Sequence, residues 1–323
     1  MFSSLRNHSS NKKKLDKNAR ILEKLEKVKR KQHSKISKVT KKLIQEVKQK
    51  NGVILINGAY FKDMLEDLSC KLDLSKQDTT IIFDYFKPEY ESIIKNVKPI
   101  KIKCLGNDKI FLYTEKRKFE DREINLLYFL SDKEIYANPN CDEMFAKGSN
   151  SSEFLFIVKE IIFNNFNTSI VTSMNGMFRH NGFLTSLNFS NFDTSKVTNM
   201  KSMFEYCYCL NVLDLSKFNT NNVTNMKCMF SGCENLRILD LSSFDTSKVT
   251  DMEDMFRFCE YLHTIYASSS FVTTNIKKSI SMFYNCHNLQ GANGTIVTSN
   301  NEDKLYARID TADTPGYFTL KAN

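Results

Sequence analysis

The residues best equipped for chemistry in this chain are nine cysteines and five histidines. Thiolates and imidazoles ligate borderline metals, and a cysteine beside a histidine makes an activated nucleophile. Neither arrangement occurs here at a useful spacing. Cys207, Cys233, Cys259 and Cys286 follow one another at intervals of 26, 26 and 27 residues. That interval strings them along an axis, whereas a metal site gathers ligands at a point. Cys207 and Cys209 lie two apart, but in the register developed below they face different environments. His8, His33, His180, His263 and His287 fall in polar tails or at variable repeat positions, with His180 and Asn181 near the cysteine position of their unit. The chain contains no C-x-x-C, H-E-x-x-H or G-x-S-x-G motif. Gly52 and Gly58 do not make a phosphate-binding loop. The residues therefore predict no catalytic group, no metal, no cofactor and no small-molecule substrate, so the chain is not expected to be an enzyme.

The elements that carry these residues are repeats. Four segments align without a gap: FNTSIVTSMNGMFRHNGFLTSLNFSN from Phe166, FDTSKVTNMKSMFEYCYCLNVLDLSK from Phe192, FNTNNVTNMKCMFSGCENLRILDLSS from Phe218 and FDTSKVTDMEDMFRFCEYLHTIYASSS from Phe244. A fifth, worn unit, FVTTNIKKSISMFYNCHNLQ, starts at Phe271. In the second unit Met200, Met203, Phe204 and Cys207 stand at i, i+3, i+4 and i+7, the spacing of one helix face. Thr198 sits where an N-cap belongs, and Thr250 with Glu253 has the form of a capping box. Beyond the helix, Leu213 and Leu215 alternate with Asp214 and Ser216, as in a strand with one buried side. Leu210, Leu213 and Leu215 match an L-x-x-L-x-L core, as do Leu236, Leu239 and Leu241.

One such unit cannot bury its apolar face alone, so neighbours must stack. The expected fold is an α/β repeat solenoid, a leucine-rich-repeat-like stack of short parallel strands and short helices, preceded by a long basic helix and a small α/β segment. Met200, Met226 and Met252, with Met203, Met229, Met255 and the phenylalanines after them, are core by periodicity; a methionine box for copper is the alternative. The four phased cysteines should form a ladder of buried free thiols. A hydroxyl there has no evident partner, so Cys233→Ser is expected to cost about 1–3 kcal/mol, and Cys233→Ala less.

The unit F-[DN]-T-S-x-V-T-x-M-x-x-M-F-x-x-C-x-x-L-x-x-L-x-L-S closely resembles the repeat of BspA-like leucine-rich-repeat surface proteins. The stretch GANGTIVTSNNEDKLYARIDTADTPGYFTLK, from Gly291 to Lys321, resembles the segment that closes such arrays. The resemblance covers about Phe166 to Lys321. It implies a bacterial or protist surface protein of adhesive or host-interacting type, with no catalytic residue to carry over.

The remaining chain divides by composition. Residues 1–50 form a basic segment: 11–50 hold 16 Lys and Arg against 4 Asp and Glu, whereas 51–323 hold 29 against 33. With Leu15, Leu22, Leu25, Ile36, Val39 and Leu43 near heptad spacing and no Gly or Pro after Asn11, this segment predicts a long helix or weak coiled coil. Its partner would be anionic (a membrane surface, a nucleic acid or an acidic protein), or it is a solvated tether. Residues 51–130 read as a small α/β segment of unknown role, with strands at Gly52–Gly58 and Ile100–Gly106 and helices at Phe61–Leu72 and Asp121–Leu130. Residues 131–165 read as a degenerate first repeat or N-terminal cap containing Met144–Phe145. Repeats of about 26 residues fill 166–290, and 291–323 form a C-terminal cap. Met1–Asn11 has no apolar core of a secretory signal, which leaves the cytoplasm open beside the cell surface that the resemblance implies.

The expected function is non-catalytic protein binding of surface or adhesion type. The alternative is an intracellular scaffold or nucleic-acid-associated protein acting through the basic helix. Outward strand positions supply the candidate contact surface: Asn188, Asp214, Asp240 and Tyr266 in one column, Ser186, Val212, Ile238 and Thr264 in the next.

Overall fold

The computed structural model describes residues 38–72, 74, 78–105, 108–119, 122–147 and 157–321. The chain divides into two compact units, Met1–Gln49 and Lys50–Asn323. In the first, α1 (Lys38–Gln49) carries Leu43 and Val47 four residues apart on one face, and Lys48 in its last turn suits the negative end of the helix dipole. Residues 11–37 of the expected basic helix lie outside the described residues.

The second unit opens with β1 (Gly52–Ile54), α2 (Gly58–Lys71), β2 (Asp78–Tyr85), α3 (Glu91–Asn96), β3 (Ile100–Lys103), β4 (Lys109–Phe119), β5 (Arg122–Ser131), β6 (Glu134–Tyr136) and β7 (Ile157–Phe163). Asn57 caps α2 by accepting from the Ala59 N–H (3.0 Å), and Phe61, Leu65 and Leu68 form its buried stripe. Five strands make one mixed sheet in the order β3-β4-β5-β2-β7; β2 is parallel to β5 and β7, and the β3-β4-β5 pairs are antiparallel. Of Asp121–Leu130, read from sequence as a helix, the described residues Arg122–Leu130 belong instead to strand β5. Leu126 to Leu130 are buried on both sides of the sheet, so the run is apolar without alternation, and period alone does not separate such a strand from a helix. One sheet face packs Ile81, Phe83, Leu127 and Phe129 into the main core with Phe61; the other packs Ile82, Leu126, Tyr128 and Leu130 with Ile93 of α3.

The repeats then correct the predicted solenoid of strands and helices. Between Ile157 and Asp303 there is no helix among the described residues. The Met200–Cys207 run is a succession of tight turns. The N–H groups of Met203, Glu205 and Cys207 bond three residues back, to the carbonyls of Met200, Ser202 and Phe204. Those of Met200, Ser202, Phe204 and Tyr206 cross instead to Asn225, Lys227, Met229 and Ser231 of the next unit. Ser202 and Tyr206 hold left-handed φ of 54° and 58°, which an α-helix cannot contain. Three overlapping four-residue turns place Met, Met, Phe and Cys inward at the same 3- and 4-residue spacing as a helix. The periodicity was ambiguous between the two.

The expected caps change with it. Thr198 Oγ1 donates to the Thr172 carbonyl and Thr250 Oγ1 to that of Thr224 (both 3.2 Å), while Glu253 pairs with Lys227 (2.6 Å). The strands are also shorter and more divided than a leucine-rich array requires. β8 (Ser186–Leu187) and β9 (Val212–Leu213) make one parallel pair, and β10 (Ile238–Leu241), β11 (Thr264–Ala267) and β12 (Phe318–Leu320) a separate parallel triplet, so no continuous sheet closes the array.

What holds unit to unit is aromatic and backbone stacking. Phe145, Phe178, Phe204, Phe230, Phe256 and Phe283 form a ladder with ring centroids 5.4–5.8 Å apart and planes within 13°. Isolated parallel bridges run beside it from Asn140 through Ser173, Asn199, Asn225 and Asp251 to Lys278. The 33-residue step from Phe145 to Phe178 is accommodated by β7, which leaves to join the five-stranded sheet.

Candidate functional site

Leu213, Leu215, Leu239 and Leu241 point into the core, so the alternate residues of their strands must face away from it. Ser186 lies beside Val212 across β8 and β9; Ile238 lies beside Thr264, and Asp240 beside Tyr266, across β10 and β11. Strand pairing thus joins six of the eight predicted positions in two groups. Asn188 and Asp214 follow their strands at the same repeat position as Asp240. Ser186, Asn188, Val212, Asp214 and Ile238 are exposed, and Asp240, Thr264 and Tyr266 are half-buried.

The two columns differ in what the fold asks of them. In the first, each carboxyl or amide side chain closes the turn after its strand. The N–H of Ser190 donates to Asn188 Oδ1 (2.9 Å), that of Ser216 to Asp214 Oδ1 (2.9 Å), and that of Ser242 to Asp240 Oδ1 (3.0 Å). The Ser216 backbone and side-chain bonds hold the Asp214 carboxyl below its usual range. Asp240 also takes an ion pair from Lys321, which reaches over from beyond β12. Burial alone would raise the Asp240 carboxyl, but its bonds from Lys321 and Ser242 outweigh that and lower it. The sequence held no sign of the Lys321 contact, since the partners are 81 residues apart. The second column has no such duty at its centre: Val212 and Ile238 are 64% and 57% exposed and apolar.

The cysteines form the expected ladder, and each has a partner. The thiols of Cys207, Cys233, Cys259 and Cys286 donate to the carbonyls of Phe178, Phe204, Phe230 and Phe256 at 3.2, 3.2, 3.1 and 2.9 Å. In the first unit Asn181 stands at this position and donates Nδ2 to the Phe145 carbonyl (2.7 Å). Burial pushes the Cys207 and Cys286 thiols up to about 12, and those of Cys233 and Cys259 well above their usual value. A thiol held neutral is a poor ligand and a poor nucleophile. All four are free, and among the described residues no three His, Cys, Asp or Glu side chains converge as metal ligands.

One polar cluster went unread in the sequence. Asp84, fully buried at the end of β2, accepts from the Tyr85 N–H (2.8 Å), Lys87 Nζ (2.7 Å), the Tyr90 hydroxyl (2.8 Å) and Asn164 Nδ2 (2.9 Å). Burial raises its carboxyl, and the Lys87, Asn164, Tyr90 and Tyr85 bonds overcome this to leave it lowered. The cluster ties β2 to the end of β7 and to the turn before α3. His180 is likewise taken up by the fold: its ring stacks on Tyr206 at 4.8 Å, and burial with nearby Arg179 and Lys62 lowers its pKa.

Comparison with curated proteins gives no match, and neither does comparison with solved structures. Comparison with known families does match, over residues 139–262 and 210–312. That span begins at the Pro139–Lys147 turns, whose Phe145 starts the ladder, and ends in the segment that covers Phe283. On these residues the chain belongs to the family described as Mycoplasma protein of unknown function, DUF285.

Proposed function

We propose that this chain is a non-catalytic binding protein that meets a protein partner through the outward face of β8–β11, in the manner of a surface or adhesion-type protein. The resemblance of its repeat to that of BspA-like surface proteins supports the surface assignment. The observation that carries the contact assignment is the exposure of Val212 and Ile238. Two large apolar side chains at one repeat position, flanked by Ser186 and Thr264, add area that a partner can cover and that the fold itself leaves in water.

The column of Asn188, Asp214 and Asp240 is a poor place to test this, because those side chains also close turns. The double variant Val212→Lys/Ile238→Lys removes the apolar patch and disturbs no internal bond. Beads carrying the full chain should adhere to cultured cells, and the variant should lose at least tenfold of that adherence at an unchanged melting temperature. Equal adherence by the variant would remove the site, and complete protection of the native protein from protease on intact cells would remove the surface reading.

A second reading rests on the local excess of twelve positive charges in residues 11–50. If that segment carries the affinity for an anionic partner, binding should fall steeply between 50 and 200 mM salt, whereas contact through Val212 and Ile238 should change little.

A further inference from the structure

Five of the ten glycines follow an asparagine: Asn51–Gly52, Asn57–Gly58, Asn175–Gly176, Asn181–Gly182 and Asn293–Gly294. Such a pair can modify itself, because glycine has no side chain to keep its nitrogen from the carboxamide before it. How fast it does so is set by how firmly the fold holds the two residues.

Four of the pairs are held. Asn57 caps α2 by accepting from the Ala59 N–H (3.0 Å), and the Gly58 N–H donates to the Asn140 carbonyl (2.9 Å). The Asn175 N–H donates to Asp142 Oδ1 (3.1 Å), and the Gly176 N–H to the Lys201 carbonyl of the neighbouring unit (2.7 Å). Asn181 is 1% exposed, and its Nδ2 donates to the Phe145 and Phe178 carbonyls (2.7 and 2.9 Å). Asn293 is exposed, but its N–H donates to Asp310 Oδ2 (2.7 Å) and its Nδ2 to the Asp310 carbonyl (2.8 Å). The Gly294 N–H donates in turn to the Gly291 carbonyl (3.0 Å).

Asn51 differs from these. It is exposed, with a left-handed φ of 56°, in the turn that leads into β1. β1 pairs with β6 alone, and the Leu55 N–H donates to the Tyr136 carbonyl (2.9 Å). Successive N–H groups of a strand point to opposite sides, so that of Gly52, three residues earlier, points away from β6 and takes no part in the ladder. Gly52 is itself buried, but the group it attacks belongs to the residue before it. Water has only to reach Asn51, and strand ends open at little cost.

We infer that Asn51–Gly52 is a self-modification site, where the asparagine deamidates through a cyclic imide. The Gly52 nitrogen loses its proton to hydroxide and bonds to Asn51 Cγ. The Cγ–Nδ2 bond breaks, and Nδ2 takes up a proton and leaves as ammonia. Water then opens the ring. Cleavage at Cγ leaves aspartate; cleavage at the main-chain carbonyl carbon leaves isoaspartate, whose chain runs through Cγ and is one atom longer. Both products add a negative charge, and isoaspartate also disturbs the Gly52↔Glu134 register that starts the β1–β6 pair. The change falls where the basic segment of residues 1–50 joins the rest of the chain, and it does not depend on the binding role proposed for the outward strand face.

The test holds the full chain at pH 7.4 and 37 °C for two weeks, with samples digested by trypsin and read by mass spectrometry. Asn51 and Asn57 share a peptide, so fragmentation separates them. Asn51 should gain about 1 Da at least tenfold faster than Asn57, Asn175, Asn181 and Asn293, and the product should accept a methyl group from an isoaspartyl methyltransferase. In guanidinium chloride, where the fold is lost, the five rates should draw together. Asn51→Gly, which suits the positive φ and has no carboxamide, should remove the rapidly formed methyl acceptor. No gain at Asn51, another pair reacting as fast in the native chain, or a spread of rates that persists in denaturant would overturn the inference.

Discussion

Cys233 shows how a single side chain is set by what lies one unit away. From sequence its position is a small buried residue without a polar neighbour. In the fold its thiol donates to the Phe204 carbonyl, which also accepts from the Cys207 N–H at 3.1 Å. The order of two substitutions therefore reverses. Cys233→Ser keeps a donor aimed at that carbonyl, and should cost no more than Cys233→Ala, with both near ~1 kcal/mol by urea denaturation. A serine variant clearly weaker than the alanine one would mean that the carbonyl is out of a hydroxyl's reach. The same burial should keep Cys207, Cys233, Cys259 and Cys286 from reacting with thiol reagents until the protein is unfolded, as labelling before and after denaturation would show.

At the scale of the element, the turn run and the helix it resembles make opposite demands on glycine. Gly232 has φ +72°, and an added Cβ would stand 2.5 Å from Tyr206 Cδ1 and 3.3 Å from Tyr206 Cα. In a helix, replacing this glycine by alanine would stabilise by up to ~1 kcal/mol. In the observed turn, the left-handed backbone and the crowding of Tyr206 together should make Gly232→Ala destabilising by roughly 2–4 kcal/mol. The sign of the change in unfolding free energy decides between the two. The repeats tolerate Ser202, Tyr206, Cys228, Asp254 and Phe258 at positive φ because every second N–H is bonded to the neighbouring unit, so local strain is offset by the lateral ladder.

For the whole molecule, the question is how the aromatic ladder ends. Tyr317 and Phe318 cover Phe283 with ring centroids 5.0 and 6.1 Å away, and β12 adds Phe318–Leu320 to β11. Asp310 fastens this closure. It accepts from the N–H groups of Asn293 (2.7 Å), Thr295 (3.2 Å) and Gly316 (3.1 Å) and from the Thr295 hydroxyl (2.7 Å). Gly291 lets the chain approach so closely, since a Cβ there would meet the Gly316 carbonyl oxygen at 2.1 Å. Burial works to raise the Asp310 carboxyl, but these bonds prevail and lower it. A carboxyl lower in the folded than in the unfolded chain stabilises above the unfolded value of about 4, and that support is lost as pH falls through the folded value. Asp310→Asn should therefore cost about 2–3 kcal/mol at pH 7. The gap to the native protein should narrow as the pH is lowered to 3. A gap that stays constant with pH would mean that the charge of Asp310 is not what holds the cap.

The sequence by itself determined the repeat, its 26-residue step and which side chains are buried, because burial follows from apolar type at fixed intervals. Met200, Met203, Phe204, Cys207, Leu210, Leu213 and Leu215 are all buried as their spacing requires. It also determined which strand positions face outward, since alternation leaves no other choice once Leu213 and Leu215 are inside. Tertiary structure alone decided the backbone that delivers them. Turns and helices share a 3- and 4-residue spacing, and the choice lay with N–H groups that found acceptors in the next unit instead of one helical turn back. Partners distant in sequence were illegible for the same reason. Lys321 on Asp240 and Asp310 under Asn293 and Gly316 depend on which segments pack together, and no residue type or local spacing encodes that.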